Sequence, residues 1–113
     1  MATKKMILDL DTGVDDALAL AYAVADPNVD LIGIISSYGN TLVETAAQNS
    51  LNLLHLLGAD DVPVFIGASH SSTTNNFEVM PISQLIHGKN GVGEITLETS
   101  PRQTETQSAV DFL

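Results

Sequence analysis

Four closely spaced aspartates are the residues of this chain best suited to chemistry. They lie in the segment MILDLDTGVDDALALAY, from Met6 to Tyr22, and are Asp9, Asp11, Asp15 and Asp16. Like charges at this spacing repel, and a carboxylate is costly to bury unless it is paired, protonated or bound to a cation. Lys4 and Lys5 precede the predicted strand and therefore lie at its opposite end. A hard cation such as Ca2+ or Mg2+ is the better partner, because these ions bind oxygen ligands.

Composition limits the classes of protein to which the chain can belong. Its 113 residues, 44% of them hydrophobic, suit one domain with one compact core. A formal charge of -10 argues against nucleic acid or an anionic membrane as a partner and favours a neutral or cationic substrate. The absence of cysteine excludes a disulfide framework and a thiolate site. The apolar run near the start is too short for a signal sequence or a membrane span, so we expect a cytoplasmic protein.

Apolar runs and helical periodicity alternate along the first half of the chain. Strands are predicted at Met6 to Leu10, Leu31 to Ile35 and Val62 to Ile66. Between them, one helix begins at Asp15 or Asp16, has almost no polar face and should lie deep in the protein. A second helix begins with a capping box and ends at a glycine; the residues concerned are Thr41, Glu44 and Gly58. This order predicts an open, mostly parallel Rossmann-like α/β sheet with helices on both faces.

The second half of the chain is more polar and less periodic. The stretch after Gly67 is predicted to be a surface loop, followed by a helical turn from Ile82 to Ile86 and a glycine loop from His87 to Gly93. Ser100 and Pro101 resemble a helix cap and a first helical position. They predict a third helix from about Gln103 to Leu113.

The predicted loops should bring polar residues to one edge of the sheet. Ligands bind beyond the carboxyl ends of parallel strands, where the aspartates follow strand one and Tyr38 to Asn40 follow strand two. Asp15 and Asp16 could alternatively cap the first helix, but four acids exceed what capping needs. His87 either faces this crevice or lies in a solvated turn.

Four motifs together resemble a known family. DLDTGVDDALAL, SSYGN, VPVFIGA and HGKNGVG, in this order, are similar to the amino-terminal part of the inosine-uridine-preferring nucleoside hydrolases. The resemblance covers essentially all of residues 1–113 and is weakest from Ser69 to Met80. It implies one nucleoside hydrolase domain of which this chain is the amino-terminal portion, a bound Ca2+, and hydrolysis of the N-glycosidic bond of ribonucleosides. We also expect the chain to form a homo-oligomer.

The resemblance assigns roles to the acidic residues. Asp11 and Asp16 resemble the family's calcium ligands, and Asp11 also resembles the base that activates the attacking water. Asp9 is expected to support the cluster. A carboxylate cluster suits this reaction, because cleavage of a nucleoside builds positive charge on the ribose.

Three further residues resemble substrate-binding positions of the family. Asp15 is expected to hold the ribose hydroxyls, Asn40 to line the ribose pocket, and His87 to match a pocket histidine. In the family, further calcium ligands and the leaving-group acid come from later sequence, so activity within these 113 residues is expected to be incomplete.

Two other classes remain open on the residues alone. Asp9 and Asp11 after a strand also resemble the nucleophile and acid of haloacid-dehalogenase phosphatases, although Thr12 then precedes Gly13. A non-catalytic acidic α/β module that binds a cation or a partner is the second alternative. Phosphatase activity on a generic ester, or metal binding without glycosidic cleavage, would distinguish them.

Overall fold

A parallel three-stranded sheet forms the centre of the protein. The computed structural model describes residues 3–113 and places β1 at Lys4–Leu10, β2 at Val29–Ser36 and β3 at Val64–Ile66. The strand order is β1-β2-β3 and both pairings are parallel. Pro63 stands just outside β3, where its carbonyl still accepts a hydrogen bond of 3.0 Å from the Ile34 N–H. The predicted parallel sheet is confirmed, with β3 shorter than expected.

Two helices connect these strands: α1 at Val14–Ala25 and α2 at Val43–Leu56. Two shorter helices follow β3: α3 at Pro81–His87 and α4 at Ala109–Phe112. Gly58 has a φ of 73° just after α2, as the predicted stop requires. The predicted capping box is not formed, because Leu42 is the N-cap residue of α2 and no side chain caps it. The hydroxyl of Thr41 instead donates to the Asp11 carbonyl at 3.3 Å.

Hydrophobic clusters cover both faces of the sheet. On one face, Ile34 and Val64 pack with residues of α1 and α2 such as Leu20 and Leu54. The next residues along the strands point the other way, as the strand period requires. They form a second cluster with α4: Ile7, Ile35, Phe65, Ala109 and Phe112. The prediction of helices on both faces is confirmed.

Helix α1 is not deeply buried, which corrects the prediction. Leu20 and Ala23 are its buried residues, whereas Leu18 is 75% exposed and Tyr22 is 73% exposed. One side of α1 contacts β2 and α2, and the side that carries Leu18 and Tyr22 is exposed. A hydrophobic helix sequence therefore did not by itself establish that both sides are buried.

Among residues 3–113, none of the helices combines the length and the apolar character that a membrane span requires.

The prediction of a third helix from about Gln103 to Leu113 is wrong over most of this range. Residues 101–108 are irregular, and the Glu105 N–H donates to the Val64 carbonyl at 2.9 Å, so this segment runs beside β3. The helix begins only at Ala109, where the Ser108 hydroxyl accepts from the Asp111 N–H at 3.1 Å. The Ser100 hydroxyl accepts from the Arg102 N–H and forms a turn. The segment that was predicted to be helical is therefore extended along β3, to which it is hydrogen-bonded.

We expect Phe112→Ala to detach α4 from the sheet. The Phe112 ring stacks on Phe65 with centroids 3.9 Å apart, and Gly33 leaves space for it. Loss of this partly buried ring should lower the free energy of unfolding by about 2 kcal/mol, below the usual cost for a fully buried phenylalanine. Urea denaturation measures the change. Val110→Ala, at a position 81% exposed on the same helix, is the matched control and should have little effect.

Candidate functional site

The loops after β1 and β2 meet at the carboxyl edge of the sheet. The Ser37 N–H donates to the Leu10 carbonyl at 2.8 Å, and the Ser37 hydroxyl donates to the Asp9 carboxylate. The Asn40 N–H donates to Asp11 Oδ2 at 2.8 Å. The second loop therefore holds the side chain of Asp9, near the end of β1, through a hydroxyl group, and the side chain of Asp11, just after β1, through a backbone N–H.

Gly39 allows this close contact. A Cβ atom built at Gly39 would overlap Asp11 Oδ2, so any other residue would push the loop away from the carboxylate. The ring of the preceding residue, Tyr38, packs against Phe77 with centroids 4.7 Å apart. The predicted surface loop after Gly67 thus contributes an aromatic contact beside the site.

Asp11 and Asp16 form a carboxyl pair with unequal proton affinities. Burial raises the pKa of Asp16 to about 7, assisted by the hydrogen bond with Asp11 and by the charges of Asp15 and Asp11. Burial also acts to raise the pKa of Asp11, but hydrogen bonds from Asp16 and from the Asn40 backbone outweigh it, and the pKa of Asp11 is lowered. The pair therefore shares one proton, which relieves the repulsion of two carboxylates.

The chemistry of this pair fits part of the coordination shell of a hard cation. A cation can take the place of the shared proton, because both neutralise the same two carboxyl groups. The side chain of Asp15, whose charge acts on Asp16, is 75% exposed. Within residues 3–113, no three histidine or acidic side chains come together in a metal-holding arrangement. Asp11 and Asp16 can therefore supply only some of the six to eight oxygens that Ca2+ takes.

His87 lies against the first turn of α1. It is buried, and its Nδ1 accepts a hydrogen bond of 3.0 Å from the Val14 N–H. A Cβ at Gly13 would lie 2.5 Å from this nitrogen, so glycine makes room for the ring. The nearest Asp15 oxygen is 3.9 Å from Nδ1. His87 thus caps α1 from a distant part of the chain, and it is not a solvated turn residue.

A buried polar network behind the acidic loop was missed from the sequence. The Thr12 hydroxyl lies 2.7 Å from the Ser50 hydroxyl, and both residues are fully buried. The Asn49 amide donates to the carbonyls of Thr12, at 3.4 Å, and Asn90, at 2.8 Å. These bonds join the acidic loop, α2 and the glycine loop. Adjacent polar residues inside the apolar periodicity of α2 were the available signal, because buried polar groups need partners.

Contacts at this edge link five of the six predicted site residues: Asp9, Asp11, Asp16, Asn40 and His87. The sixth, Asp15, lies at the exposed border of the site. A parallel α/β sheet with polar groups at this position belongs to the class of Rossmann-like proteins that bind ligands at the carboxyl ends of their strands.

The family within this class is established by comparison. The model of the inosine-uridine preferring nucleoside hydrolases matches residues 6–113. The chain belongs to this nucleoside hydrolase family, which confirms the resemblance seen in its motifs.

Three proteins illustrate the similarity. The structure of a purine-preferring ribonucleoside hydrolase from Gardnerella vaginalis is 54% identical, with a TM-score of 0.94, and covers 96% of this chain and 34% of its own. Uridine nucleosidase 1 of Arabidopsis thaliana is 33% identical over 97% of this chain and 32% of its own. An uncharacterized Corynebacterium ammoniagenes protein from the ribF 3′ region is 55% identical over 82% of this chain and 97% of its own. The chain thus spans about a third of the two hydrolases.

We expect Asp16→Asn to flatten the pH dependence of stability in metal-free protein. With a folded pKa of about 7 against an ordinary value of 3.8, Asp16 favours the folded state at low pH. This contribution is lost as pH rises from about 4 through 7, because the unfolded chain has released the proton first. The urea midpoint of the unsubstituted chain should therefore fall more between pH 5 and pH 8 than that of the variant. Equal falls would contradict a raised pKa at Asp16.

We expect His87→Ala to lower the free energy of unfolding by about 1 kcal/mol, the usual cost of losing a helix cap. His70→Ala is the matched control, because the His70 ring contacts the carbonyl of its neighbour Ser71 and caps no helix. Urea denaturation compares the two variants. Equal effects at both positions would show that the Val14 contact contributes little.

Proposed function

We propose that this chain supplies the Ca2+ and ribose side of a nucleoside hydrolase active site, which cleaves the N-glycosidic bond of ribonucleosides. The observation that carries the proposal is the carboxyl pair of Asp11 and Asp16 at the carboxyl edge of the sheet, within the residues 6–113 that the family model matches. Family membership favours this function over the phosphatase and the non-catalytic module.

Each residue has a defined part in the proposed reaction. Ca2+ bound by Asp11 and Asp16 would hold ribose hydroxyls and orient the attacking water. Asp11 is the proton acceptor, and its lowered pKa keeps it ionised at neutral pH. Asp15 and Asn40 hold the ribose, Asp9 supports the cluster through Ser37, and His87 sets the start of α1 beside the substrate. The negative pair also stabilises the positive charge that develops on the ribose.

The proposed site needs groups from outside this chain. Two paired carboxylates cannot complete a calcium shell, and neither of them can protonate the departing base while binding the metal. General-acid assistance contributes about a hundred- to ten-thousand-fold in rate. The chain also spans about a third of the length of the hydrolases that it matches. We therefore assign it the amino-terminal portion of a single hydrolase domain.

Calorimetric titration of metal-stripped protein with CaCl2 at pH 8 tests the metal site. We expect Asp16→Ala to weaken binding at least about tenfold, which corresponds to ~1.4 kcal/mol. Asp30→Ala is the matched control, because Asp30 is an exposed acid at the opposite edge of the sheet, and it should bind like the unsubstituted chain. Equal affinity in the two variants would remove Asp16 from the metal shell.

A hybrid protein tests the catalytic assignment. Residues 1–113 replace the matching third of the Gardnerella vaginalis hydrolase, and release of ribose from inosine and uridine is measured. The hybrid should be active, and Asp11→Asn should lower kcat by about a hundred- to ten-thousand-fold, because the amide keeps the shape but cannot accept a proton.

The isolated chain of 113 residues, at saturating Ca2+, is the companion measurement to this hybrid. It should release ribose at a small fraction of the hybrid's rate. A fully active hybrid with Asp11→Asn would place the base elsewhere, and ordinary turnover by the isolated chain would show that its site is complete.

A further inference from the structure

Asn49 of α2 joins two segments that are far apart in the chain. Its side chain is buried, and Nδ2 donates to the Thr12 carbonyl at 3.4 Å and to the Asn90 carbonyl at 2.8 Å. Thr12 follows Asp11 in the turn between β1 and α1, and Asn90 lies in the glycine loop. One amide group therefore holds the glycine loop against the turn that contains the first acid of the site.

The side chains of Asn90 and Glu94 fold the glycine loop into one unit. Asn90 Oδ1 accepts from the N–H groups of Val92, at 3.0 Å, and Glu94, at 2.9 Å. The Glu94 carboxylate accepts in return from the N–H groups of Lys89 and Asn90. Because these bonds hold the loop together, a shift of the Asn90 backbone moves the loop as a whole.

Two residues of the glycine loop pack against the same turn. His87 Nδ1 accepts from the Val14 N–H at 3.0 Å, which holds the turn on the side of α1. Gly91 has a φ of 81°, and a Cβ there would lie 2.9 Å from Asn49 Nδ2 and 3.2 Å from the Thr12 carbonyl oxygen. The loop thus contacts the turn without space for a side chain between them.

We propose that Asn49 is a positioning residue, which sets the places of Asp11 and Asp16 by tying their turn to the glycine loop. The inference rests on the proposed function, in which these carboxylates bind the metal. Asn49 acts through the backbone of Thr12, the residue after Asp11. A buried amide that only satisfied carbonyl groups would contribute to stability and would leave the geometry of the acids unchanged.

Two leucine variants of α2 separate positioning from stability. Asn49→Leu keeps much of the side-chain volume and removes the donor. Asn52→Leu is the matched control one helical turn further on, because Asn52 Oδ1 accepts from the Ser100 N–H at 2.9 Å and so binds a different segment. Urea denaturation should show a loss of stability in both variants, and circular dichroism checks that both are folded.

Amide hydrogen exchange in metal-free protein reports the position of Asp11. The Asn40 N–H donates to Asp11 Oδ2 at 2.8 Å, and the Ile34 N–H in the central strand serves as the reference. Relative to this reference, Asn49→Leu should speed exchange at Asn40 at least about tenfold, because a displaced turn removes the acceptor. Asn52→Leu should leave the ratio unchanged. Equal ratios in the two variants would overturn the proposal.

Two alanine variants test the same contact from the glycine loop. Gly91→Ala adds a methyl group where the loop meets Asn49 and the turn. Gly93→Ala is the matched control, because Gly93 has a similar φ of 68° and a Cβ there would have no neighbour within 4 Å. Gly91→Ala should speed exchange at Asn40 more than Gly93→Ala. Equal effects would assign the change to backbone strain and contradict the proposal.

Titration with CaCl2 relates this positioning to the proposed function. Asn49→Leu should bind Ca2+ about tenfold more weakly than Asn52→Leu, the usual scale when groups that orient metal ligands are lost. Equal affinity in these variants, while Asp16→Ala still weakens binding, would overturn the inference and leave the proposed function standing. Unchanged binding in Asp16→Ala would instead overturn the proposed metal site, and exchange at Asn40 would still decide whether Asn49 positions Asp11.

Discussion

Repulsion between the carboxyl groups of Asp11 and Asp16 is the constraint on which the site depends. The turn between β1 and α1 forces these groups together, and partial burial removes much of the water that would screen them. A shared proton relieves the repulsion between the two carboxyl groups near neutral pH, as the raised pKa of Asp16 and the lowered pKa of Asp11 indicate. The same geometry is suited to a cation, because proton and cation compete for the same oxygens.

The surrounding structure keeps these charges in place with uncharged donors. The backbone N–H of Asn40 binds Asp11, and the buried hydroxyls of Thr12 and Ser50 fasten the loop to α2. His87 joins the start of α1 to the glycine loop. Backbone and hydroxyl groups can orient a carboxylate without adding a competing positive charge. The polar network therefore positions the acids while leaving them free to bind a cation.

The same carboxyl edge adjoins exposed apolar surface of α1. An apolar groove of about 540 Å³ lies between β1 and α1, and Asp15 borders both this groove and the acidic site. The exposed apolar residues of α1 show that one side of this helix lies in solvent, although its sequence suggested deep burial.

Local patterns in the sequence determined the parallel sheet, helices α1 and α2, and the grouping of acids at one edge. These features depend on short-range periodicity, on turn residues such as Gly13 and Gly58, and on the rule that parallel strands end together. The family followed from motifs that the chain carries in full. The sequence also indicated His87 as a site residue, although its role as a distant helix cap could not be anticipated.

Tertiary contacts alone decided the rest, because they join residues far apart in the chain. The segment from Gln103 lies beside β3, since a strand edge offers its backbone a partner that local propensity does not describe. Thr41 binds the Asp11 carbonyl and does not form the predicted capping box. The unequal pKa values of Asp11 and Asp16 arise from burial and from a neighbouring loop. The sequence thus specified which groups are present, and packing set their contacts and charge states.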